Sequence, residues 1–284
     1  MSVLVLKIGG SVRDPGPLLQ DVAETVAAGE SVVLVHGASR DLNELSTRLG
    51  HPPRMVESGR GDVTRFTDTT TMDHFLMAYA GLANKRIVER LRQLGVNAVG
   101  LSGLDGGIVR GRRRSDLRVV EDGRARVLHG NFAGSIQRVD ESLLNVLLER
   151  GYVPVLTPPI AAEDGTAINV DGDRLAAEVA IALHATALII FADTPGILRD
   201  PADDSTLIAA VTADGVDELG LSGRVRPKMQ ATVRAATNGV ATVRIADGRG
   251  ERPLQAALAG GGTSIGGDAA ASGLGGVSRQ MHVV

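Results

Sequence analysis

Residues 3–12 read VLVLKIGGSV. An apolar run enters a lysine, then two glycines and a serine. The uninterrupted run suits a strand buried on both faces, as in a parallel sheet. Gly9 and Gly10 carry no Cβ, so an anion can approach their backbone N–H groups closely. Lys7 adds a compact, mobile charge. The alternative is a lysine that snorkels at a strand end above an ordinary turn.

Reading outward, the same design returns in LVHGAS (34–39), a second strand that ends in a glycine turn. Further apolar runs follow at 96–103, 152–158, 187–196 and 240–248, and helical periodicity marks 17–28, 68–94, 141–150, 172–184 and 226–238. Strands alternating with helices predict an α/β fold, a three-layer αβα sandwich around a mainly parallel sheet. Such folds bind ligands at the carboxyl edge of the strands. Residues 117–130, LRVVEDGRARVLHG, differ: two short polar strands flank Asp122-Gly123, which predicts a hairpin. From Gly266 the chain turns rich in Gly, Ala and Ser, the composition of a flexible tail over 266–284.

Composition narrows the function. The 284 residues are 43% hydrophobic and 22% charged, with a net charge of −3. That balance gives no bias toward nucleic acid or an anionic membrane. Aromatic residues are 2%, which argues against base stacking. The chain has no cysteine, so disulfides, thiolate metal sites and a cysteine nucleophile are excluded. No signal peptide or membrane span is visible, and a cytoplasmic location is expected. The six histidines lack metal-ligand spacing and read as surface or packing residues.

Three later stretches carry polar groups to the predicted sheet edge. INVDGDRLAAEVA (168–180) offers Asn169, and places Asp173 in the first turn of a helix. Capping by Asp171 or Asp173 explains the acids equally well. LIIFADTPGIL (188–198) ends an apolar strand on Asp193, facing a ligand or forming a turn. In GRVRPKMQATVRAA (223–236), Lys228 follows Pro227 at a helix start, where a cation is disfavoured unless an anion is near.

The ordered set KIGGS, VHGAS, TRFTDTTTMDHFLMAYAGLANKRIVERL, NVDGD, ADTPGIL, RPKM and GGGTSI resembles the amino acid kinase family, of the acetylglutamate kinase type. The resemblance covers residues 3–265. It implies one kinase domain over 1–265, with an acceptor-binding lobe over about 1–168 and an ATP-binding lobe over 169–265. It implies ATP with Mg2+, and no protein-held metal site. Lys7 and Lys228 would stabilise the transferring phosphoryl group, and Asp173 would hold both lysines. Gly9, Gly10 and Gly37 would lend N–H groups to the phosphates. Arg65, Asn169, Gly37 and Ala38 would line the acceptor site, and Asp193 the ATP half. Relatives often carry Gly-Gly where this chain has Gly37-Ala38.

The segment RGRRRSDLRVVEDGRARVLHG (110–130) is similar to one branch, kinases acting on aminoadipate or glutamate attached to a small acidic carrier protein of the LysW type. That resemblance implies lysine or arginine biosynthesis, with Arg110, Arg112, Arg113 and Arg114 docking the carrier. Arg54, Arg60 and Arg65 would extend the basic rim. A charge run is otherwise a solvated face. A kinase of free N-acetylglutamate and a non-catalytic nucleotide sensor are the alternatives. Phe75, Leu76, Met77, Tyr79 and Ala80 spread over more than one helix face, and a homodimer through 68–94 is expected.

Overall fold

Strand β1 (Val3–Ile8) is buried along its whole length, and its alternation divides the interior in two. Val3 and Val5 join one apolar cluster; Leu4, Leu6 and Ile8 join another. A strand covered on both faces must be apolar on both, so no polar residue interrupts it before Lys7. The computed structural model describes residues 2–10, 12–58, 63–121, 124–215 and 225–266. Arg60, the Asp122-Gly123 turn and nearly all of the predicted tail lie outside them.

After β1 come α1 (Gly16–Ala27), β2 (Ser31–His36), α2 (Ser39–Arg48), β3 (Arg54–Ser58) and β4 (Val63–Phe66). A long helix passes from α3 (Thr69–Phe75) through a π-helical segment (Leu76–Ala83) into α4 (Asn84–Gln93). There follow β5 (Ala98–Gly103), β6 (Val109–Arg113), β7 (Leu117–Glu121), β8 (Arg124–Leu128), β9 (Gly134–Val139) and α5 (Ser142–Glu149). The chain continues through β10 (Val153–Ala161), β11 (Ala167–Ile168), α6 (Gly172–Ala182), β12 (Ala187–Ala192) and β13 (Ala210–Val211). It closes with α7 (Val225–Thr237), β14 (Thr242–Asp247), α8 (Pro253–Leu258) and β15 (Thr263–Ile265).

The main sheet runs β13-β15-β14-β12-β1-β2-β10-β6-β9, with β5 and β11 also paired to β10. Strand β1 lies parallel between β12 and β2, with Ile8 level with Phe191 and His36. This register brings Gly9, Gly37 and Asp193 to one carboxyl edge. Residues of α5, α6 and α7 cover the Val3–Val5 face; residues of α1, α4 and α8 cover the other. The three-layer α/β architecture expected from the sequence is therefore present. A second, antiparallel sheet, β4-β3-β7-β8, closes on Val56, Phe66 and Val119. The expected hairpin is part of it, with Val119 opposite Arg126.

The sequence reading did not include β3, β4, β6, β9, α2 or α8. In β6 the reason is visible: Val109 and Gly111 are buried, whereas Arg110 and Arg112 alternate outward. Half-buried strands of this kind read as charge runs. Among the described residues, no helix is long and apolar enough to cross a membrane.

Leu6 is fully buried in the central strand. Leu6→Ala is expected to cost about 2–5 kcal/mol, seen as a lower urea midpoint at unchanged slope.

Candidate active site

Alternation puts Lys7 on the same side of β1 as Val3 and Val5, under α6 and α7. Helix α6 starts there because Asp171 caps it, its carboxylate accepting the Arg174 N–H at 2.8 Å. Two residues on, Asp173 is 8% exposed and makes an ion pair with Lys7. Its other oxygen accepts from Lys228 Nζ, on the first turn of α7, at 3.0 Å. Burial alone would raise the Asp173 carboxyl, but Lys7 and Lys228 overcome it and hold it far below the carboxylate range. The lysines differ. Burial lowers both, yet Asp173, with Asp171 beyond it, lifts Lys7 above its ordinary value. Lys228 stays below its own, through burial and the charge of Lys7. Two ammonium groups share one buried carboxylate, and the Asp171 carboxylate acts on both from the helix cap.

The glycine loops lie beside this triad. A Cβ on Gly10 would lie 2.8 Å from Ser39 Oγ and 2.9 Å from Ser39 N, so only glycine admits this contact between loops. A Cβ on Gly37 would come within 3.3 Å of Gly10 N. Helix α2 begins at this junction with no side-chain cap on its N-terminus, which leaves first-turn N–H groups for an anion. One expectation is corrected. The Gly9 N–H donates to Phe191 O at 3.0 Å and the Gly37 N–H to Ile8 O at 3.1 Å. Those amides extend the parallel ladder and are not open to phosphate. Gly10 and the start of α2 are the donors that remain for it among the described residues.

On the acceptor side, Arg65 of β4 donates from Nη2 to Asn43 Oδ1 of α2 at 2.6 Å. The Asn169 amide donates to Thr67 Oγ1 at 3.2 Å, while its backbone ties β11 to Phe132 and Gly134. Asp193 lies exposed at the end of β12, on the same edge as Gly9. The sequence reading took Tyr79 for an interface residue. The structure stacks its ring on Phe75, centroids 3.9 Å apart, next to Ala38 and Leu42. Burial raises its hydroxyl, against the pull of Arg65, the Ala38 N–H that it accepts and Lys7. Its polar end had no sequence signal, because the surrounding helix is apolar on several faces.

The four arginines expected to dock a carrier separate. Arg110, Arg112 and Arg114 are exposed. Arg113 faces inward, its guanidinium 3.5 Å from the Phe132 ring centre and donating to Asn131 O at 2.8 Å. It braces the loop behind Thr67 and Asn169, so its exposure to a partner is not what the reading expected.

The amino acid kinase family profile matches residues 2–247. This chain belongs to that family. It is an enzyme of phosphoryl transfer. It is 45% identical to a [LysW]-aminoadipate kinase of Deinococcus radiodurans, over 93% of this chain and 92% of that one. Identity to the [LysW]-aminoadipate kinase of Thermus thermophilus is 39%, over 93% and 100%. Identity to the acetylglutamate kinase of Methanopyrus kandleri is 39%, over 83% and 91%. Among solved structures, Giardia carbamate kinase shares the fold, with a TM-score of 0.64 at 14% identity over 94% of this chain and 99% of that one.

Removing the shared carboxylate strands two buried cations. Asp173→Ala is expected to destabilise the protein by about 3–5 kcal/mol in urea titration. Lys228→Met leaves a balanced Lys7–Asp173 pair and is expected to cost far less. A second test uses pH. Burial, then the charges of Lys7 and Lys85, push His36 down to about 4 from an ordinary 6.5. As pH falls through about 6.5 the unfolded chain binds the proton first. The stability this group contributes is therefore complete above that pH and lost toward 4, at about 1.4 kcal/mol per unit. The wild type is expected to lose about 1 kcal/mol more than His36→Asn between pH 7.5 and 5.5.

Proposed function

We propose that this chain transfers the γ-phosphoryl group of ATP to the side-chain carboxylate of aminoadipate, or of glutamate, carried on a small acidic LysW-type protein. An acceptor carboxylate oxygen attacks the γ-phosphorus, the bond to the bridging oxygen of ADP breaks, and an acyl phosphate leaves. The nucleophile is ionised at neutral pH, so no general base is required. What the reaction needs is in-line placement and relief of repulsion between anions. The observation that carries the reading is the buried Lys7–Asp173–Lys228 cluster, two ammonium groups on one carboxylate. Gly10 and the α2 N-terminus cradle the phosphates, Asp193 borders the nucleotide half, and Arg65, Asn169 and Ala38 hold the acceptor. In this reading magnesium comes with ATP, as counter-ion to its phosphates.

Two observations favour a carrier over a free amino acid. The [LysW]-aminoadipate kinases match this chain over nearly their whole length. In register, Arg110 of β6 stands directly opposite Arg138 of β9, and both are exposed. Like charges so paired repel. Asp140 answers part of that repulsion, 3.6 Å from Arg138 Nη2, and an acidic partner would answer the rest. The acetylglutamate kinase of Methanopyrus kandleri supports the second reading, a free N-acetylglutamate acceptor. Met77 and Leu82, half exposed on the π-helical segment, fit a homodimer contact.

ADP release with Mg-ATP separates the readings. We expect turnover with carrier-borne aminoadipate or glutamate and little with N-acetylglutamate; the reverse result removes the carrier. Lys228→Met is expected to abolish turnover in a folded protein. Charge reversal of Arg110, Arg112 and Arg114 to Glu, with Arg113 kept, is expected to raise KM for the carrier about tenfold or more. An unchanged KM ends the docking assignment.

A further inference from the structure

Directly behind the Gly37 turn lies a buried polar network that the phosphoryl chemistry does not use. His36, the last residue of β2, is fully buried. Its Nε2 lies 3.1 Å from Asn84 Nδ2, and its Nδ1 lies 3.3 Å from Gly37 O. Asn84, the first residue of α4 and 1% exposed, also donates from Nδ2 to Val155 O at 2.9 Å. Its Oδ1 accepts from Lys85 Nζ at 3.1 Å, and Lys85 donates again to Gly100 O at the same distance. A Cβ on Gly100 would fall 2.0 Å from Asn84 Oδ1, so residue 100 must be glycine for Asn84 to occupy this place.

The network permits one state of the imidazole. Asn84 Nδ2 carries only hydrogens toward its partners, because turning the amide over would set Oδ1 against Val155 O and Nδ2 against Lys85. Nε2 of His36 must therefore accept, and Nδ1 must bear the proton. A second proton would set Nε2–H against N–H of Asn84. The charged groups facing the ring, Lys7 from β1 and Lys85 from α4, oppose it too. Strand β10 meets this residue with neutral groups, the Thr157 hydroxyl on the His36 carbonyl and the Val155 carbonyl on Asn84.

The Gly37 carbonyl and the Ala38 N–H belong to one trans peptide plane and point in opposite directions. A donor that holds the carbonyl on the His36 side turns the Ala38 N–H the other way, toward the Tyr79 hydroxyl and the Gly10 loop. We propose that His36, fixed by Asn84 as the neutral Nδ1-protonated tautomer, is a positioning residue that holds the Ala38 N–H on the Tyr79 hydroxyl, beside the phosphoryl-transfer cleft. This rests on the reading of that cleft as the place where the phosphoryl group passes.

Two measurements test this. In 15N-histidine-labelled enzyme, the ring signal lost in His36→Asn is expected to show a protonated Nδ1 and an unprotonated Nε2, unchanged from pH 5 to 8. An Nε2-protonated ring, or titration near 6.5, overturns the proposal whether or not the acceptor is correctly identified. Kinetics are the second measure. Asparagine can place its amide N–H where Nδ1–H stood, and leucine cannot. With the acceptor the wild type turns over, His36→Asn is expected to keep kcat within about fivefold. His36→Leu is expected to lose about tenfold or more, with KM for ATP within about threefold. Equal losses in the two variants, or a loss confined to KM, overturn the positioning role. If the wild type releases ADP with no acceptor, the functional reading fails while the ring signal still decides the tautomer. If His36→Leu does not fold, the ring signal decides alone.

Discussion

One carboxylate between two ammonium groups sets the terms for everything around it. Asp173 can be ionised at such depth only because Lys7 and Lys228 reach it. Each charge taken from water costs several kcal/mol, and a pair recovers that only with good geometry. Here two ammonium groups share one buried carboxylate, with Asp171 acting on both from the helix cap. This is a form of preorganisation, since the stabilising charges stand in place before the reaction asks for them.

That constraint reaches back into the sheet. Lys7 has to be on the α6–α7 side of β1, and the alternation from Val3 onward delivers it there. The strand has to stop at once, because the next layer is backbone meeting backbone, Gly10 against the start of α2. Further from the centre the demands relax. Arg110 and Arg112 alternate outward into solvent on β6, near the end of the sheet.

Much of this was readable from residue order. KIGGS, NVDGD and RPKM each sit where an element begins or ends, and punctuation of that kind is local. The sequence also led correctly to the family, since the motifs occur together and in order. What it concealed was direction. Gly9 and Gly37 read as phosphate donors, yet the ladder takes their N–H groups, and no composition tells which amide of a turn faces outward. The run RGRRR read as one basic patch until strand alternation turned Arg113 inward onto Phe132. Tyr79 read as part of an apolar helix face, and His36 as a packing residue. For each, one polar atom meets a partner remote in sequence, Ala38 for Tyr79 and Asn84 for His36.

In chain order the central strand precedes both of its neighbours. Its two neighbours are unequal in time: β2 follows after one helix, while β12 waits for most of the chain. Lys228 emerges later still. A chain cut before Lys228 keeps the residues of the Lys7–Asp173 pair but lacks the second ammonium group. The second cation of the cluster therefore joins only after β1 and both strands that flank it are in the chain, and the cluster closes on a sheet centre already specified.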